Sequence, residues 1–461
     1  MAEASSGILP PQTHVLPVKE RVERGRALRE RTARRQHAGW QAPPGRRDPI
    51  EILIEQGKSR LPELLPLRYS RMQATPFTFL RGAAAIMAAD LASTPSSGLV
   101  VQAAGDCHRL NFGGFATPER RLAFDINDFD ETAVAPWEWD LKRLAASFVV
   151  ATLGTLAKPA RVELATIVAR RYRQTMAEIA GQPVLEAWYH VLDLDADGAA
   201  RQIGLSADTL SRADASRIHP VGLPSLGHRG GAHPVIEDDR EHGVYHPPPE
   251  AADAFETAVR AALIDYTATL SPARRTLLQR YRFADAAYKV VGVGAVGTLC
   301  GLLLMVSGDG ETLYLQFKEA TRSVLEGHAG HSPYAHHGER VVRGQRLLQA
   351  ASDMLLGFAT GPTGRHLYLR QLRDAKIKPQ LEGMSPRNFQ RYAATCGEVL
   401  ARAHARTADA VMLSAYLGKS DTFDKAIAAF ATAYAQQTER DHAALRDALA
   451  SGRLPSPPAK P

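Results

Sequence analysis

The sequence feature that most constrains the fold is an apolar run at residues 290–306, VVGVGAVGTLCGLLLMV, which glycine interrupts repeatedly. The run is shorter than the ~20 residues that a membrane-spanning helix needs, so we expect no membrane partner. Aliphatic residues punctuated by glycine are typical of short strands joined by turns. The run is therefore predicted to hold two strands around a turn, and residues 288–320 to form three short strands with a further turn at SGDGE.

The length of the chain, 461 residues, is too great for one ordinary hydrophobic core. The apolar pattern is helical over residues 50–92, over 136–213 and again from Asn388, whereas GLVVQAAGD, RLAFDIND and RHLYLRQL indicate strands. The stretch 219–250 is rich in Gly, Pro and His and is predicted to be a long loop. We predict four regions: a flexible basic tail (1–48), a helix-rich lobe (49–275), a small sheet-containing lobe (276–380) and C-terminal helices (381–461).

The composition of the chain indicates its cellular compartment and the kinds of partner that it could bind. The cysteines Cys107, Cys300 and Cys396 lie far apart without the spacing of a disulfide framework or a zinc site, which favours a reducing, cytoplasmic setting. No signal-peptide pattern is visible at the N-terminus. Much of the net charge of +7 lies in a stretch of mixed arginines and glutamates near the N-terminus. Trp40 is the only aromatic residue there, so we expect a solvated tail with a possible protein partner rather than a nucleic-acid-binding arm.

Acidic and other polar side chains are concentrated at residues 105–131, GDCHRLNFGGFATPERRLAFDINDFDE. Asp106 and Asn111 lie in a loop after a predicted strand, and Asp125 lies on the next strand. In phosphoryl transfer, one carboxylate orients the acceptor hydroxyl while an amide and a second carboxylate hold magnesium. Asp106 is therefore the candidate base, and Asn111 with Asp125 or Asp128 are the candidate metal ligands. A structural role in turns is the alternative for each.

Gly292, Gly294 and Gly297 form a G-x-G-x-x-G pattern between apolar segments. A dinucleotide-binding loop with this pattern must be followed by a helix, but TLCGLLLMV is strand-like. A glycine-rich hairpin that covers nucleotide phosphates fits better, and it predicts a lysine on the following strand. Lys318 occupies that position in LYLQFKEA.

Two further carboxylates have candidate supporting roles. A lysine in an apolar strand needs an anionic partner, and the sequence offers Glu339, or alternatively Glu326, for Lys318. Asp140 lies near the start of an amphipathic helix in PWEWDLKRLAAS. It is either a carboxylate favoured by the helix dipole or one that accepts hydrogen bonds from the loop containing Asp106.

Linked motifs over residues 68–410 resemble those of a bacterial family called domain of unknown function 2252. They include TPFTFLRGAAAIMAADLA, GDCHRLNFGGF, FDINDFDET, PWEWDLKRLAAS, LQFKEA and GERVVRGQRLLQAASD. The resemblance covers most of the chain and is specific because many motifs occur together. The family itself implies no activity.

GDCHRLN is also similar to the HGDxHxxN loop of aminoglycoside phosphotransferases and related small-molecule kinases. This resemblance implies that Asp106 is the catalytic base and that Asn111 and Asp125 are metal ligands. It further matches His108 to the loop histidine and Asp140 to the aspartate that braces the loop. The cofactors that it implies are ATP and Mg²⁺.

The sequence departs from the kinase pattern in two ways. Ala104 stands where a histidine usually precedes the glycine, and the glycine hairpin with Lys318 follows the catalytic loop instead of preceding it. A circular permutation would produce this order without altering a site that is assembled in space. The expected fold is therefore α+β and two-lobed, like a protein kinase in permuted order, with a helix-rich catalytic lobe and a small antiparallel-sheet nucleotide lobe.

The expected function is ATP- and Mg²⁺-dependent phosphoryl transfer to the hydroxyl of an unidentified acceptor, which the resemblance suggests is a small molecule. One alternative is a pseudokinase or nucleotide-dependent binding module without turnover. The other is a metal-dependent hydrolase built on the acidic cluster alone, which would leave the glycine hairpin and Lys318 without a role.

Overall fold

The computed structural model describes residues 15–194, 205, 225–229, 233–372 and 377–456. The helices are α1 (Val18–Arg31), α2 (Pro49–Gly57), α3 (Leu65–Met72), α4 (Pro76–Gly82), α5 (Ala84–Leu91), α6 (Trp137–Val150), α7 (Lys158–Ala180), α8 (Val184–Tyr189), α9 (Pro249–Thr269), α10 (Pro272–Leu278), α11 (Glu326–Ala329), α12 (His337–Leu348), α13 (Pro386–Ala405), α14 (Ala410–Leu417) and α15 (Thr422–Ala450). None of these helices is both long and apolar enough to cross a bilayer.

Within these described ranges, the strands form one larger sheet and three two-stranded sheets, all antiparallel. They are β1 (Val100–Ala103), β2 (Phe112–Ala116), β3 (Leu122–Ile126), β4 (Ala133–Pro136), β5 (Leu226–Arg229), β6 (His233–Ile236), β7 (Val244–Tyr245), β8 (Tyr281–Lys289), β9 (Cys300–Ser307), β10 (Thr312–Glu319), β11 (Gly357–Thr360) and β12 (His366–Gln371). The protein is thus a mixed α+β fold with several small antiparallel sheets, which is the coarse class predicted from the sequence.

Helix α6 lies at the centre of the helical part, and all 14 of its residues are buried. Its neighbours are α7 and α15, and α13 packs in turn on α7. Charged residues of α6 find partners inside the protein: Glu138 accepts a hydrogen bond from the Ser97 amide at 2.7 Å, and Lys142 donates to Thr94 at 2.8 Å. These partners lower the cost of burying the helix on all sides, and Oε2 of Glu138 is the one oxygen of the two side chains left without a hydrogen bond. The predicted helical region 136–213 corresponds to α6–α8, and beyond residue 194 most of it lies outside the described residues.

The N-terminal stretch differs from the flexible tail predicted for residues 1–48. Residues 18–48 include α1 and a 3₁₀ turn at Arg34–Ala38, and they pack against the C-terminal helices. Arg29 donates to the Tyr416 carbonyl at 2.8 Å, and Arg46 pairs with Asp90 and Asp441 at 2.7 and 2.6 Å. The arginines that suggested a solvated tail therefore bind groups far away in the sequence. Residues 1–14 of that tail lie outside the described residues.

The larger sheet has the strand order β11-β12-β10-β9-β8-β7. Of the three strands predicted for residues 288–320, two form there as β9 and β10, and the strand predicted at RHLYLRQL forms as β12. The prediction of two strands within 290–306 is wrong: β8 ends at Lys289, and residues 290–299 form the loop that joins it to β9. Helix α9 packs on this sheet, and its Tyr266 shares a core with Leu315 and Leu369. The sheet unit therefore begins before residue 276, the boundary predicted from the sequence.

Among the described residues, three antiparallel two-stranded pairs complete the architecture. In β1–β4, Val101 is opposite Ala135, and in β2–β3, Gly113 is opposite Asp125. The third pair, β5–β6, lies within residues 219–250, which were predicted to be a loop without strands. The pairs β1–β4 and β2–β3 lead into the loops that carry most of the predicted site.

Candidate functional site

A cleft of about 1120 Å³ is lined both by the loops after β1 and β3 and by the larger sheet. It brings together seven of the side chains or glycines singled out from the sequence: Asp106, His108, Asn111, Asp128, Gly292, Gly294 and Lys318. Four others lie outside its lining: Asp125, Asp140, Gly297 and Glu339.

The loop after β1 is held in a compact turn. Gly105 has a φ of +84°, and a Cβ atom there would lie 2.2 Å from the Glu131 carbonyl oxygen, so only glycine fits. The Asn111 side-chain nitrogen donates to the Asp106 carbonyl at 2.7 Å, and the Asn111 amide donates to the His108 carbonyl at 2.8 Å. With its nitrogen engaged within the loop, Asn111 has its side-chain oxygen left to offer a cation.

Asp140, near the start of α6, binds the backbone of this loop. Its carboxylate accepts hydrogen bonds from the amides of Ala104 at 2.6 Å and Gly105 at 3.0 Å. The ring of His404 lies 3.2 Å from the same carboxylate and 2.9 Å from the Tyr172 hydroxyl. A buried tyrosine–histidine–aspartate chain thus joins α7, α13 and α6 to the backbone of the loop.

Asp106 is the loop carboxylate exposed to the cleft, with 20% of its side chain accessible. Arg143 of α6 forms a short ion pair with it, and its Nε lies 2.8 Å from Oδ1. Burial raises the pKa of Asp106 to about 7, against the lowering effect of Arg143. A carboxyl that titrates near neutral pH can accept a proton from a substrate and release it again.

His108 lies beside Asp106, with 3.8 Å between its Nε2 and Oδ2 of the aspartate. Burial and the nearby Arg81 lower the pKa of His108 well below its usual range, so its ring is neutral. Its Nδ1 accepts a hydrogen bond from the Leu110 amide at 3.2 Å. The contacts of His108 therefore shape the loop, and its ring forms part of the cleft wall.

Asp125 and Asp128 have different surroundings. Asp125 is buried and forms an ion pair with Arg402 at 2.7 Å, outside the cleft lining. Asp128 lines the cleft and accepts a hydrogen bond from the Asp130 amide at 3.4 Å. Of the two aspartates that the sequence left open as metal ligands, Asp128 is the one with access to a cation in the cleft.

Lys318 on β10 contacts the loop between β3 and β4, which carries Asp128, Asp130 and Glu131 and is called the acidic loop below. Its Nζ lies 2.5 Å from Oδ2 of Asp130, and the Tyr368 hydroxyl donates to Oδ1 of the same carboxylate. Burial lowers the pKa of Lys318, but Asp130, Tyr368 and Asp128 together raise it more strongly, so the ammonium stays charged. The lysine and its anionic partner thus belong to segments separated by 188 residues.

The pairing of Lys318 with Glu339 or Glu326, which the sequence suggested, does not form. Glu339 on α12 contacts Arg343 one turn further along the helix, at 3.3 Å. Glu326 contacts the buried Arg340 at 3.5 Å. Both glutamates satisfy arginines close to them, and the loop after β3 brings Asp130 to Lys318 instead.

The β8–β9 loop, residues 290–299, carries the glycine pattern into the cleft. Gly292 has a φ of +63° and open space around the position of a Cβ atom. Helix α3 and the preceding turn hold the loop: Arg71 donates to the Gly292 carbonyl at 2.7 Å, and Arg60 donates to the Val296 carbonyl at 2.6 Å. Gly297 lies against Arg60 rather than against the cleft.

The donor set suits a magnesium ion bound together with phosphates. Within the described part of the chain, no group of three or more His, Cys, Asp and Glu side chains could hold a metal by itself. Magnesium, however, is commonly bound by one or two carboxylates plus substrate phosphates and water. Asp128 and Asn111 both line the cleft, where a carboxylate and an amide oxygen could supply such ligands.

Several contacts of the site were missed by sequence reasoning. Arg143, the partner of Asp106, follows Asp140 by three residues, so both lie on one face of α6; that spacing is a signal that could have found it. Asp130, the partner of Lys318, has no residue type or spacing that separates it from the other carboxylates of residues 105–131. From α13, far along the chain, His404 contacts Asp140 and Arg402 pairs with Asp125, and no local pattern marks either residue.

The fold and site therefore define an α+β protein in which a glycine-rich hairpin loop and a lysine-bearing strand share one cleft with an acidic loop. A family model described as an uncharacterized protein conserved in bacteria, domain of unknown function 2252, matches residues 60–448. Because the match covers most of its length, this chain belongs to that family. A search of curated proteins and a search of solved structures each found no match.

Proposed function

We propose that this protein is an ATP- and Mg²⁺-dependent phosphotransferase that acts on the hydroxyl group of a small-molecule acceptor. The observation that carries the proposal is the shared cleft. Asp106, Asn111 and Asp128 line it together with the β8–β9 loop and Lys318. Phosphoryl transfer needs both sets of groups, because the catalyst must position the acceptor and stabilise the charge of the phosphates.

Each residue has a role that fits its surroundings. Asp106, with a pKa raised to about 7 by burial, is suited to orient the acceptor hydroxyl and take its proton. Asn111 and Asp128 would hold Mg²⁺, and the amides of the β8–β9 loop with the ammonium of Lys318 would bind phosphate oxygens. When bound, Mg²⁺ would neutralise phosphate charge. Asp140 would keep Asp106 and Asn111 in position through the amides that it binds.

The kinase-like, circularly permuted fold is part of the same proposal. The catalytic loop precedes the glycine hairpin and Lys318 in the chain, yet residues from all three line one cleft. A site assembled in space can keep its geometry when the order of its segments changes. We extend the proposal to a cytoplasmic location, which three buried cysteines with free thiols support.

A second candidate is a nucleotide-dependent binding module without turnover. The ion pair between Arg143 and Asp106 favours it, because a base that is paired with a guanidinium is a weaker proton acceptor. The third candidate, a metal-dependent hydrolase, leaves the β8–β9 loop and Lys318 without a role.

Calorimetric titration with a non-hydrolysable ATP analogue, with and without Mg²⁺, tests the proposal. We expect Mg²⁺-dependent binding that is weakened at least about tenfold in Lys318→Met and in Asp128→Asn, since each removes a charged contact. Lys425→Met and Asp309→Asn are matched controls at exposed positions and should bind like the wild type. Unchanged binding in the cleft variants would refute the site. Binding without transfer to any hydroxyl compound in a broad panel would select the binding module.

A further inference from the structure

Four arginines from the N-terminal helices and the turn between them line the cleft: Arg60, Arg68, Arg71 and Arg81. Two of them have a structural task, because Arg60 and Arg71 donate to carbonyl groups of the β8–β9 loop. Within the described residues, Arg68 and Arg81 form no ion pair.

Arg68 on α3 is a buried cation without an anion. Its side chain is almost inaccessible, with 1% of the residue exposed, although it borders the cleft. One nitrogen donates to the Gly82 carbonyl at 2.9 Å, whereas Nε and Nη1 have no hydrogen-bond partner. Burial lowers the pKa of Arg68 to about 9, which reflects the cost of a charge in this place. Such a cost is normally offset by a bound anion.

Arg81 on α4 lines the cleft near Asp106 and Asp128. Its Nε is buried and has no hydrogen-bond partner. Burial lowers the pKa of Arg81, and the fields of Asp106 and Asp128 partly oppose this effect. Arg81 is thus close enough to the proposed base to sense its charge, yet it contacts neither carboxylate directly.

We propose that Arg68 and Arg81 bind an anionic group of the acceptor, so that the acceptor is a small molecule carrying a phosphate or a carboxylate as well as the hydroxyl. This inference rests on the proposed phosphotransferase function. A guanidinium presents paired N–H donors that match the oxygens of either anion. The nucleotide phosphates already have Lys318, the β8–β9 loop and Mg²⁺ as partners. Arg81 instead lies near Asp106, which would hold the acceptor hydroxyl.

Binding of inorganic phosphate and of acetate, followed by thermal shift and calorimetry without nucleotide, tests for the anion site. We expect at least one of these anions to stabilise the wild type, and the stronger one identifies the anionic group. Arg81→Gln should weaken this binding about tenfold or more, as expected for loss of a charged hydrogen bond. Arg68→Lys keeps a charge but loses the paired donors, and should weaken it too. Arg391→Gln, at an exposed position on α13, is the control and should bind like the wild type.

A second titration, at saturating Mg²⁺ and non-hydrolysable ATP analogue, identifies the source of the anion. We expect the anion to bind alongside the nucleotide. Competition between them would assign Arg68 and Arg81 to the nucleotide and overturn the inference, as would unchanged anion binding in both arginine variants. If the analogue itself fails to bind, the proposed function is refuted, while the nucleotide-free titrations still decide whether the arginines form an anion site.

Discussion

The ammonium of Lys318 lies 2.5 Å from the carboxylate of Asp130, although 188 residues separate them in the chain. This contact joins the larger sheet to the acidic loop at the cleft. The side chain of Lys318 is 5% exposed and that of Asp130 is 28% exposed, so the pair is largely screened from water. In the proposed function, Lys318 lies where it can contact a phosphate while Asp130 keeps it charged and oriented.

Breaking this ion pair should destabilise the fold in a way that depends on which partner is removed. Lys318→Met leaves a largely buried carboxylate without its cation, and we expect a loss of about 3 kcal/mol in the free energy of unfolding. The double variant Lys318→Met with Asp130→Asn should lose less than Lys318→Met alone, because no unpaired charge remains. Urea denaturation measures both values. Equal losses in the single and double variants would show that the pair does not carry this stability.

Gly292 and Gly310 provide a matched pair for testing the β8–β9 loop. Both have positive φ, at +63° and +85°, and both have open space where a Cβ atom would stand. Substitution by alanine should therefore cost each about 1–2 kcal/mol of backbone strain. Only Gly292 lines the cleft, since Gly310 lies in the β9–β10 turn. We expect Gly292→Ala to weaken binding of the ATP analogue and Gly310→Ala to leave it unchanged; an equal effect of both would mean that the loop binds no phosphate.

Asp140 should act on the loop that contains Asp106 rather than on the fold as a whole. Asp140→Asn replaces one acceptor oxygen with a donor that faces a backbone amide, so we expect a loss of about 1–3 kcal/mol. Hydrogen exchange should become faster at the amides of Ala104 and Gly105, which the carboxylate binds in the wild type. Exchange that stays slow at these two amides would contradict the bracing role.

Asp106 should titrate near neutral pH. Its pKa is raised from 3.8 to about 7 by burial, so the folded protein holds the proton over a range in which the unfolded chain releases it. The contribution of this group to stability should therefore fall as the pH rises from about 4 to about 7 and change little above that range. Asp106→Asn removes the titrating group. The free energy of unfolding of the wild type, relative to that of this variant, should therefore fall over the same pH range. Carboxyl carbon NMR gives the pKa directly, and a midpoint near 4 would exclude Asp106 as a base for neutral pH.

Part of the strand content of the sheet could be predicted because its signals are local. Alternation of apolar residues and turns at glycine mark β9, β10 and β12 in the sequence, whereas β8 ends before the apolar run that was expected to hold the first strand. Strands β2, β5 and β6 were missed, because they are short and contain glycine or proline. The ordered N-terminal stretch was missed because Arg29 and Arg46 depend on residues hundreds of positions away, which no local pattern records.

The site shows the same division between local and distant information. The sequence indicates Asp106, Asn111 and Lys318 by their residue types and spacing, but not which carboxylate meets the lysine. That choice depends on the path of the loop after β3, which brings Asp130 rather than Glu339 to Lys318. Likewise, Asp125 is paired with Arg402 outside the cleft lining, whereas Asp128 lines the cleft. Residue types thus suggest the chemistry, whereas tertiary packing selects the partners.

The most direct test of the proposed site is a structure of the protein with Mg²⁺ and a non-hydrolysable ATP analogue. We predict a phosphate oxygen within about 3.2 Å of Lys318 Nζ, with the metal bound by Asn111 and Asp128 and the phosphates beneath the β8–β9 loop. A nucleotide bound outside this cleft, or one whose phosphates lie more than about 6 Å from Lys318 Nζ, would contradict the account.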